Sequence, residues 1–106
     1  MSERIETTAI RNLIHNEEYC RKVLPFIKEE YFTDRLEKLI FTEIYKFVNK
    51  YNNLPTKESL SIEMNTNKGV SEDEYKKMNE IISSLNPEPI NLDWLVETTE
   101  VWCKDR

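Results

Sequence analysis

Three side chains in this sequence are of the types that bind zinc or attack an electrophile: His15, Cys20 and Cys103. Zinc sites draw ligands from short spacings such as Cys-x-x-Cys, and a Cys–His nucleophile needs contact between the pair and a third, orienting group. His15 and Cys20 fall on separate predicted helices, and Cys103 is remote. The spacing favours packed thiols and a helix-end imidazole. We therefore expect no metal site and no catalytic residue in this chain, and a small metal or thiol enzyme is the alternative.

Carboxylates stand next to one another at three places, and such groups can transfer protons or bind cations. Two of the groups fall in the first turns of predicted helices, where the helix dipole favours negative charge. The last group also lacks the D-x-[DN]-x-[DN]-G pattern of a calcium loop. Solvated helix starts are therefore the favoured interpretation. The groups are Glu17 with Glu18, Glu29 with Glu30, and residues 72–74.

Composition and charge exclude several function classes. Gly69 is the only glycine, whereas the glycine-rich phosphate loops need at least two, so we expect this chain to bind no nucleotide. The net charge of −5 disfavours binding to phosphate backbones, and we expect little or no direct DNA binding. No apolar run approaches the ~18 residues of a membrane span, and none follows Met1 as in a secretory leader. We therefore expect a cytoplasmic protein without membrane contact.

The sequence pattern predicts that the elements that position these residues are helices. Apolar residues recur at helical spacing through most of the chain, which predicts a single all-α domain over residues 1–106, a compact bundle of about six helices. The longest helix, over about residues 35–52, is apolar around roughly 200° of its circumference and is expected at the centre. Side chains that can cap backbone N–H groups predict the helix starts: Ser2, Asn16, Asp34, Thr56, Ser71 and Asn91.

The last predicted helix has two apolar faces. Trp94 and Val101 lie together on one side, opposite a longer face expected to turn inward. A single exposed Trp is common on protein surfaces, whereas Trp is also enriched in interface hot spots. Two interpretations therefore stay open: isolated surface residues, or a stripe that faces a partner. Trp94 and Val101 are the candidate interface. The inward face is Leu92, Leu95, Val96, Thr99, Trp102 and Cys103.

Six short stretches in a fixed order carry a family resemblance. They are Ile5-x₃-Ala9-Ile10-x₂-Leu13-Ile14, Val23-Leu24-Pro25-Phe26-Ile27, Tyr31-Phe32, Leu39-Ile40-Phe41-x₂-Ile44, Leu54-Pro55-Thr56-x-Glu58-Ser59-Leu60 and Trp94-Leu95-Val96-x-x-Thr99-Glu100-x-Trp102. Together they resemble the N-terminal domain of DnaB-type replicative DNA helicases, in the form found in T-even-like phages. The resemblance covers essentially the whole chain.

This resemblance implies an interaction module of a larger protein. In such helicases an all-α head precedes a helical hairpin, a linker helix and an ATPase domain that uses ATP and Mg²⁺. The heads form a collar on a hexameric ring, which serves ring assembly and primase contact. By this resemblance residues 92–106 begin the first hairpin helix, and Trp94 and Val101 meet the second hairpin helix or a neighbouring subunit.

The ATPase motifs of the family have no counterpart in this sequence. We therefore expect no ATP hydrolysis by the chain itself, although its parent would be an ATP-dependent helicase, and no cofactor in this domain. Two other interpretations stay open. One is the helicase-binding domain of a primase, with a catalytic domain upstream of residue 1. The other is a free-standing helical adaptor whose gene ends near residue 106.

Overall fold

Helices account for the regular structure of this chain. A computed structural model describes residues 4–67 and 69–105. Within them lie α1 (Ile5–His15), α2 (Glu17–Val23), α3 (Arg35–Tyr51), α4 (Lys57–Asn65), α5 (Glu72–Ser84) and α6 (Leu92–Lys104), with a turn of 3₁₀ helix at Glu29–Tyr31. No strand occurs among the described residues, and the all-α expectation is confirmed.

Polar side chains start five of these helices, as the sequence predicted. Each accepts a hydrogen bond from a backbone N–H in the first turn, which satisfies a donor that has no partner within the helix. In α5 the bond is reciprocal, because the Glu74 carboxylate accepts the backbone N–H of Ser71 while the Ser71 hydroxyl accepts that of Glu74. The five confirmed caps are Asn16, Asp34, Thr56, Ser71 and Asn91.

The predicted cap of the first helix, Ser2, lies outside the described residues. The described part of α1 begins after Arg4, whose side chain makes no capping bond. The Arg4 guanidinium instead donates to the buried Glu37 carboxylate at 2.6 Å, and the Thr7 hydroxyl donates to it at 2.8 Å. A charge-assisted contact therefore joins the start of α1 to α3, and a local capping pattern cannot reveal such a contact.

The central position predicted for the long helix is confirmed. α3 packs against α1, α4, α5 and the 3₁₀ turn, whereas α6 packs against α2 and α1. The last residue of its apolar pattern, Tyr51, is half-exposed and packs against the Phe47 ring in a tilted arrangement instead of entering the core. The largest fully buried side chains are Ile10, Leu13, Tyr19, Phe32, Ile40, Phe41, Ile44, Leu60, Met64, Met78, Leu85 and Leu95.

The dimensions fit a small globular domain. The Cα radius of gyration is 13.1 Å, close to the ~13 Å expected for a compact chain of this length. α3 ends at Asn52, whose φ of 56° lies in the left-handed region that Asn tolerates better than most residues. Of the helices described here, none combines the length and the apolar character that crossing a bilayer requires.

Candidate interaction surface on the last helix

Trp94 and Val101 lie on the outer face of α6, where the sequence placed them. Trp94 is 53% exposed and Val101 is 57% exposed, and both belong to the few large apolar side chains that the described surface exposes. At 100° per residue the two side chains are about 20° apart around the helix axis. They form a short apolar stripe, which we call the α6 stripe. Its exposure is confirmed, and its role as an interface stays a prediction.

The opposite face of α6 fixes how the helix is rotated. Thr99 is fully buried, and its hydroxyl lies 2.8 Å from the Tyr19 hydroxyl of α2. Thr99 also donates to the Leu95 carbonyl at 2.7 Å, so the Tyr19 hydroxyl is the donor in the bond between them. Burial raises the pKa of Tyr19, which keeps this phenol protonated. Since α6 is held in this rotation, the α6 stripe must point away from the core.

An aromatic cluster holds the C-terminal half of α6. The Trp102 ring meets the Phe32 ring edge-on at a centroid distance of 5.2 Å and the Tyr31 ring at 6.3 Å. Such edge-to-face pairs stabilise a fold beyond the area that they bury. The indole Nε1–H of Trp102 is buried and hydrogen-bonds to no described residue. Trp102 is therefore held by shape and ring contacts.

An open groove runs beside the outer face of α6. Phe26 and Tyr31 form one wall, Cys103 lies on the other, and Glu100 and Lys104 border it on α6. Its volume is about 450 Å³. The sequence did not indicate this groove, because the residues of its two walls are far apart along the chain. Charged side chains of α6 separate this groove from the α6 stripe.

The row of side chains between the stripe and the groove is acidic. Asp93, Glu97 and Glu100 follow one another at spacings of four and three residues, which places them on one side of the helix. None of the three makes an ion pair within 4.0 Å among the described residues. Lys104 is the one base on this part of the described surface. The outer face of α6 is thus apolar along its middle and acidic along one edge.

The residues first considered for metal or thiol chemistry have structural roles. The His15 ring donates through Nε2 to the Leu85 carbonyl at 2.6 Å, which ties the end of α1 to the end of α5. Cys20 and Cys103 are free and buried, and burial raises the pKa of each thiol to about 11. A thiol with so high a pKa is a poor nucleophile near neutral pH. Among the described residues no group of three or more His, Cys, Asp or Glu side chains is placed to hold a metal ion.

The adjacent carboxylates stabilise helices and join them. Glu17 and Asp73 form i,i+4 ion pairs with Arg21 and Lys77 at 3.6 and 3.2 Å. Glu74 accepts a bond from Arg35 at 2.7 Å, and this guanidinium lowers the pKa of the carboxyl group. The preference for helix-start roles over acid–base chemistry is consistent with these contacts.

A second apolar surface was missed by the sequence reasoning. Tyr45 on α3 is 43% exposed and borders a groove of about 280 Å³. Pro25, Ile27 and Phe41 also line it. The sequence feature that could have indicated this surface is Tyr45, an aromatic residue on the otherwise polar side of α3. The apolar residues around most of that helix made it inconspicuous.

Fold and surface together define a small all-α domain that exposes an aromatic stripe on one helix. No protein-family model matches this chain. The chain is similar to the DnaB-like replicative helicase of Enterobacteria phage T4, with 32% identity over 97 residues. The similarity covers 92% of this chain and 20% of the helicase, so the chain spans about a fifth of that relative's length. The resemblance drawn from the sequence is therefore confirmed, and the extent of the match fits an N-terminal domain.

Proposed function

We propose that this chain is the N-terminal collar domain of a phage hexameric replicative DNA helicase. In that role it supports assembly of the ring and contacts primase in the cytoplasm of the infected cell. The observation that carries the proposal is the similarity to a DnaB-like replicative helicase along 92% of this chain. The all-α fold agrees with an interaction domain.

The α6 stripe is the proposed contact surface of this domain. Trp is the residue most enriched among those that dominate binding energies, and Trp94 is more than half exposed. Its presentation depends on the buried inner face of α6, since the Tyr19–Thr99 hydrogen bond and the Trp102 ring contacts fix the helix rotation. A partner therefore meets a pre-formed surface, which lowers the entropic cost of association.

ATP and Mg²⁺ belong to another domain of the proposed parent protein. Gly69 is the only glycine of the sequence, and its backbone N–H donates to Asn67 Oδ1 at 2.9 Å. A phosphate loop instead directs several backbone N–H groups at the ligand. The proposal therefore assigns no nucleotide binding to this chain, and purified chain should not hydrolyse ATP.

Reading the gene on both sides of these codons tests the proposal. A frame that continues past Arg106 into G-x-x-x-x-G-K-[ST] is the expected result. A catalytic primase domain upstream of residue 1 would instead support the primase alternative. A stop codon at Arg106 with no upstream domain would leave a free-standing adaptor. ATP turnover by the purified 106-residue chain would also count against the proposal.

A further inference from the structure

The helices of this domain form two groups that share α3. Among the described residues, α4 and α5 pack chiefly against each other and against α3, whereas α1, α2 and α6 pack against one another. Along the chain, α4 and α5 are consecutive and lie between the end of α3 and the start of α6. We call these two helices the α4–α5 unit. Cooperative units that open on their own are usually contiguous stretches of this kind.

Local bonds hold the α4–α5 unit together. Each of its helices begins with a reciprocal cap formed within its own first turn. The Ser61 and Tyr75 hydroxyls lie 3.2 Å apart and join the two helices. The Lys57 ammonium at the start of α4 donates to the Ser83 carbonyl of α5 at 3.2 Å. These bonds stabilise the unit without tying it to another helix.

The polar bonds from the α4–α5 unit to other helices are exposed or lie near its ends. The Arg35 guanidinium of α3 donates to Glu74 at 2.7 Å, and the Arg35 side chain is 62% exposed. An ion pair in contact with water contributes little to stability. Two further bonds lie near the helix ends, from His15 to the Leu85 carbonyl at 2.6 Å and from Asn67 to Glu43 at 3.3 Å. Docking of the unit on α3 therefore depends mainly on apolar packing.

Flexible side chains provide much of this packing. The buried side chains of the two helices are Leu60, Met64, Met78 and Ile82. Methionine is unbranched and adapts to irregular gaps, so it specifies one packing arrangement less strictly than an aromatic ring does. The other group of helices has buried aromatic rings instead, Tyr19 on α2 and Trp102 on α6. The two parts of the core are thus unequal in rigidity.

We propose that the α4–α5 unit opens from α3 and unfolds as one unit while α1, α2, α3 and α6 stay folded. α4 has 9 residues and α5 has 13, and isolated helices of such lengths are barely stable in water, so loss of docking unfolds both. The opening uncovers one side of α3. It leaves the α6 stripe in place, because the Tyr19–Thr99 bond and the Trp102–Phe32 contact involve no residue of the unit.

Native-state hydrogen exchange of the purified 106-residue chain tests this opening. NMR gives the protection factors of the amides in each helix at several urea concentrations below the unfolding transition. We expect the most protected amides of α4 and α5 to share one protection factor and one urea dependence. Their protection should be at least about tenfold below that of the most protected amides of α1 and α3. One protection factor and one urea dependence across all helices would overturn the proposal.

Two variants separate opening of the unit from unfolding of the whole domain. Tyr19→Phe removes a bond to Thr99 that stays intact in the open state and breaks only in global unfolding. It should lower the protection of α1 and α3 about fivefold and that of α4 and α5 less than about twofold. Ser71→Ala removes the cap of α5, which breaks in both processes. It should lower the protection of α4, α5 and the other helices alike, about fivefold.

The variants also give results that would contradict the proposal. An equal loss of protection in all helices of Tyr19→Phe would show that the domain opens only as a whole. A loss confined to α5 in Ser71→Ala would show that α4 and α5 open separately. Exchange of α6 together with the α4–α5 unit would place the α6 stripe in the part that opens. None of these results alters the gene structure or ring assembly, on which the proposed function is judged.

Discussion

Replacing Trp102 by alanine should destabilise this domain strongly. A buried Trp removes about 150–250 Å² from water, which at about 25 cal/mol per Å² amounts to about 4–6 kcal/mol. The edge-on contact with Phe32 at 5.2 Å adds about 0.5–1.5 kcal/mol. The indole N–H of Trp102 is buried without an acceptor among the described residues, which is unfavourable. Removing it therefore offsets about 1–3 kcal/mol of this loss. We expect a net loss of about 3–5 kcal/mol, the usual range for this substitution in a core.

The same substitution at Trp94 should have a smaller effect. Trp94 is 53% exposed, so it buries about half as much area as Trp102. Alanine also has the higher helix propensity, which offsets about 0.5 kcal/mol of the loss in folding stability. By the same arithmetic, Trp94→Ala should cost about 1.5–2.5 kcal/mol, roughly half the loss at Trp102. The two tryptophans on one helix thus provide a matched pair in which only the direction of the side chain differs.

Urea and thermal unfolding of the two variants measure this difference. About 1 kcal/mol shifts the Tm of a domain of this size by roughly 4–8 °C, so Trp102→Ala should lower the Tm by at least about 12 °C. Trp94→Ala should lower the Tm by roughly half as much as Trp102→Ala. Larger destabilisation by Trp94→Ala than by Trp102→Ala would refute the assignment of faces on α6.

Three further predictions concern the rest of the fold. Ser71→Ala should cost about 1 kcal/mol in urea unfolding, because it removes the N-cap of α5. Arg4→Ala should cost about 1.5–3 kcal/mol, because the buried Glu37 carboxylate loses its charged donor. Stability should fall as the pH rises from 9 to 11, because burial raises the pKa of Cys20 and Cys103 from 9.0 to about 11. In that range the unfolded chain has released protons that the folded chain retains, and the urea midpoint at each pH follows the loss.

Each of these has a control within the chain. Ser71→Asp keeps a capping oxygen and should restore α5, so equal losses from Ala and Asp would contradict the capping explanation. Glu37→Gln combined with Arg4→Ala should recover part of the loss from Arg4→Ala, since no uncompensated charge stays buried. Replacement of both cysteines by alanine should reduce the alkaline decline, and the part that stays above about pH 10 comes from Tyr19, whose pKa burial also raises. An unchanged decline would assign it to groups other than the cysteines.

Local rules were enough to predict most helix starts. Asn16, Asp34 and Asn91 cap helices through oxygens that reach N–H groups two or three residues away, so their effect is visible in a short window of sequence. Ser2 lies outside the described residues, and the contact seen at the start of α1 is a long-range one. Arg4 and Glu37 are 33 residues apart, and nothing in a capping pattern encodes their meeting.

The candidate surface was predictable in part for the same reason. The spacing of Trp94 and Val101 on a helix determines that they share a side, and the buried partners on the other side determine that this side faces out. The contact that fixes the rotation joins Tyr19 and Thr99, which are 80 residues apart, and could not be read from periodicity. The groove between Tyr31 and Cys103 was missed likewise, since it exists only after α6 docks beside the 3₁₀ turn.

The most direct test of the α6 stripe as an interface is native mass spectrometry of the full-length protein. Wild type should form hexamers in the presence of ATP and Mg²⁺, and the Trp94→Ala, Val101→Ala double variant should form smaller species at the same concentration. Circular dichroism of the variant should show the α-helical content of the wild type. Hexamers of undiminished abundance in the folded variant would contradict the claim that this stripe supports ring assembly.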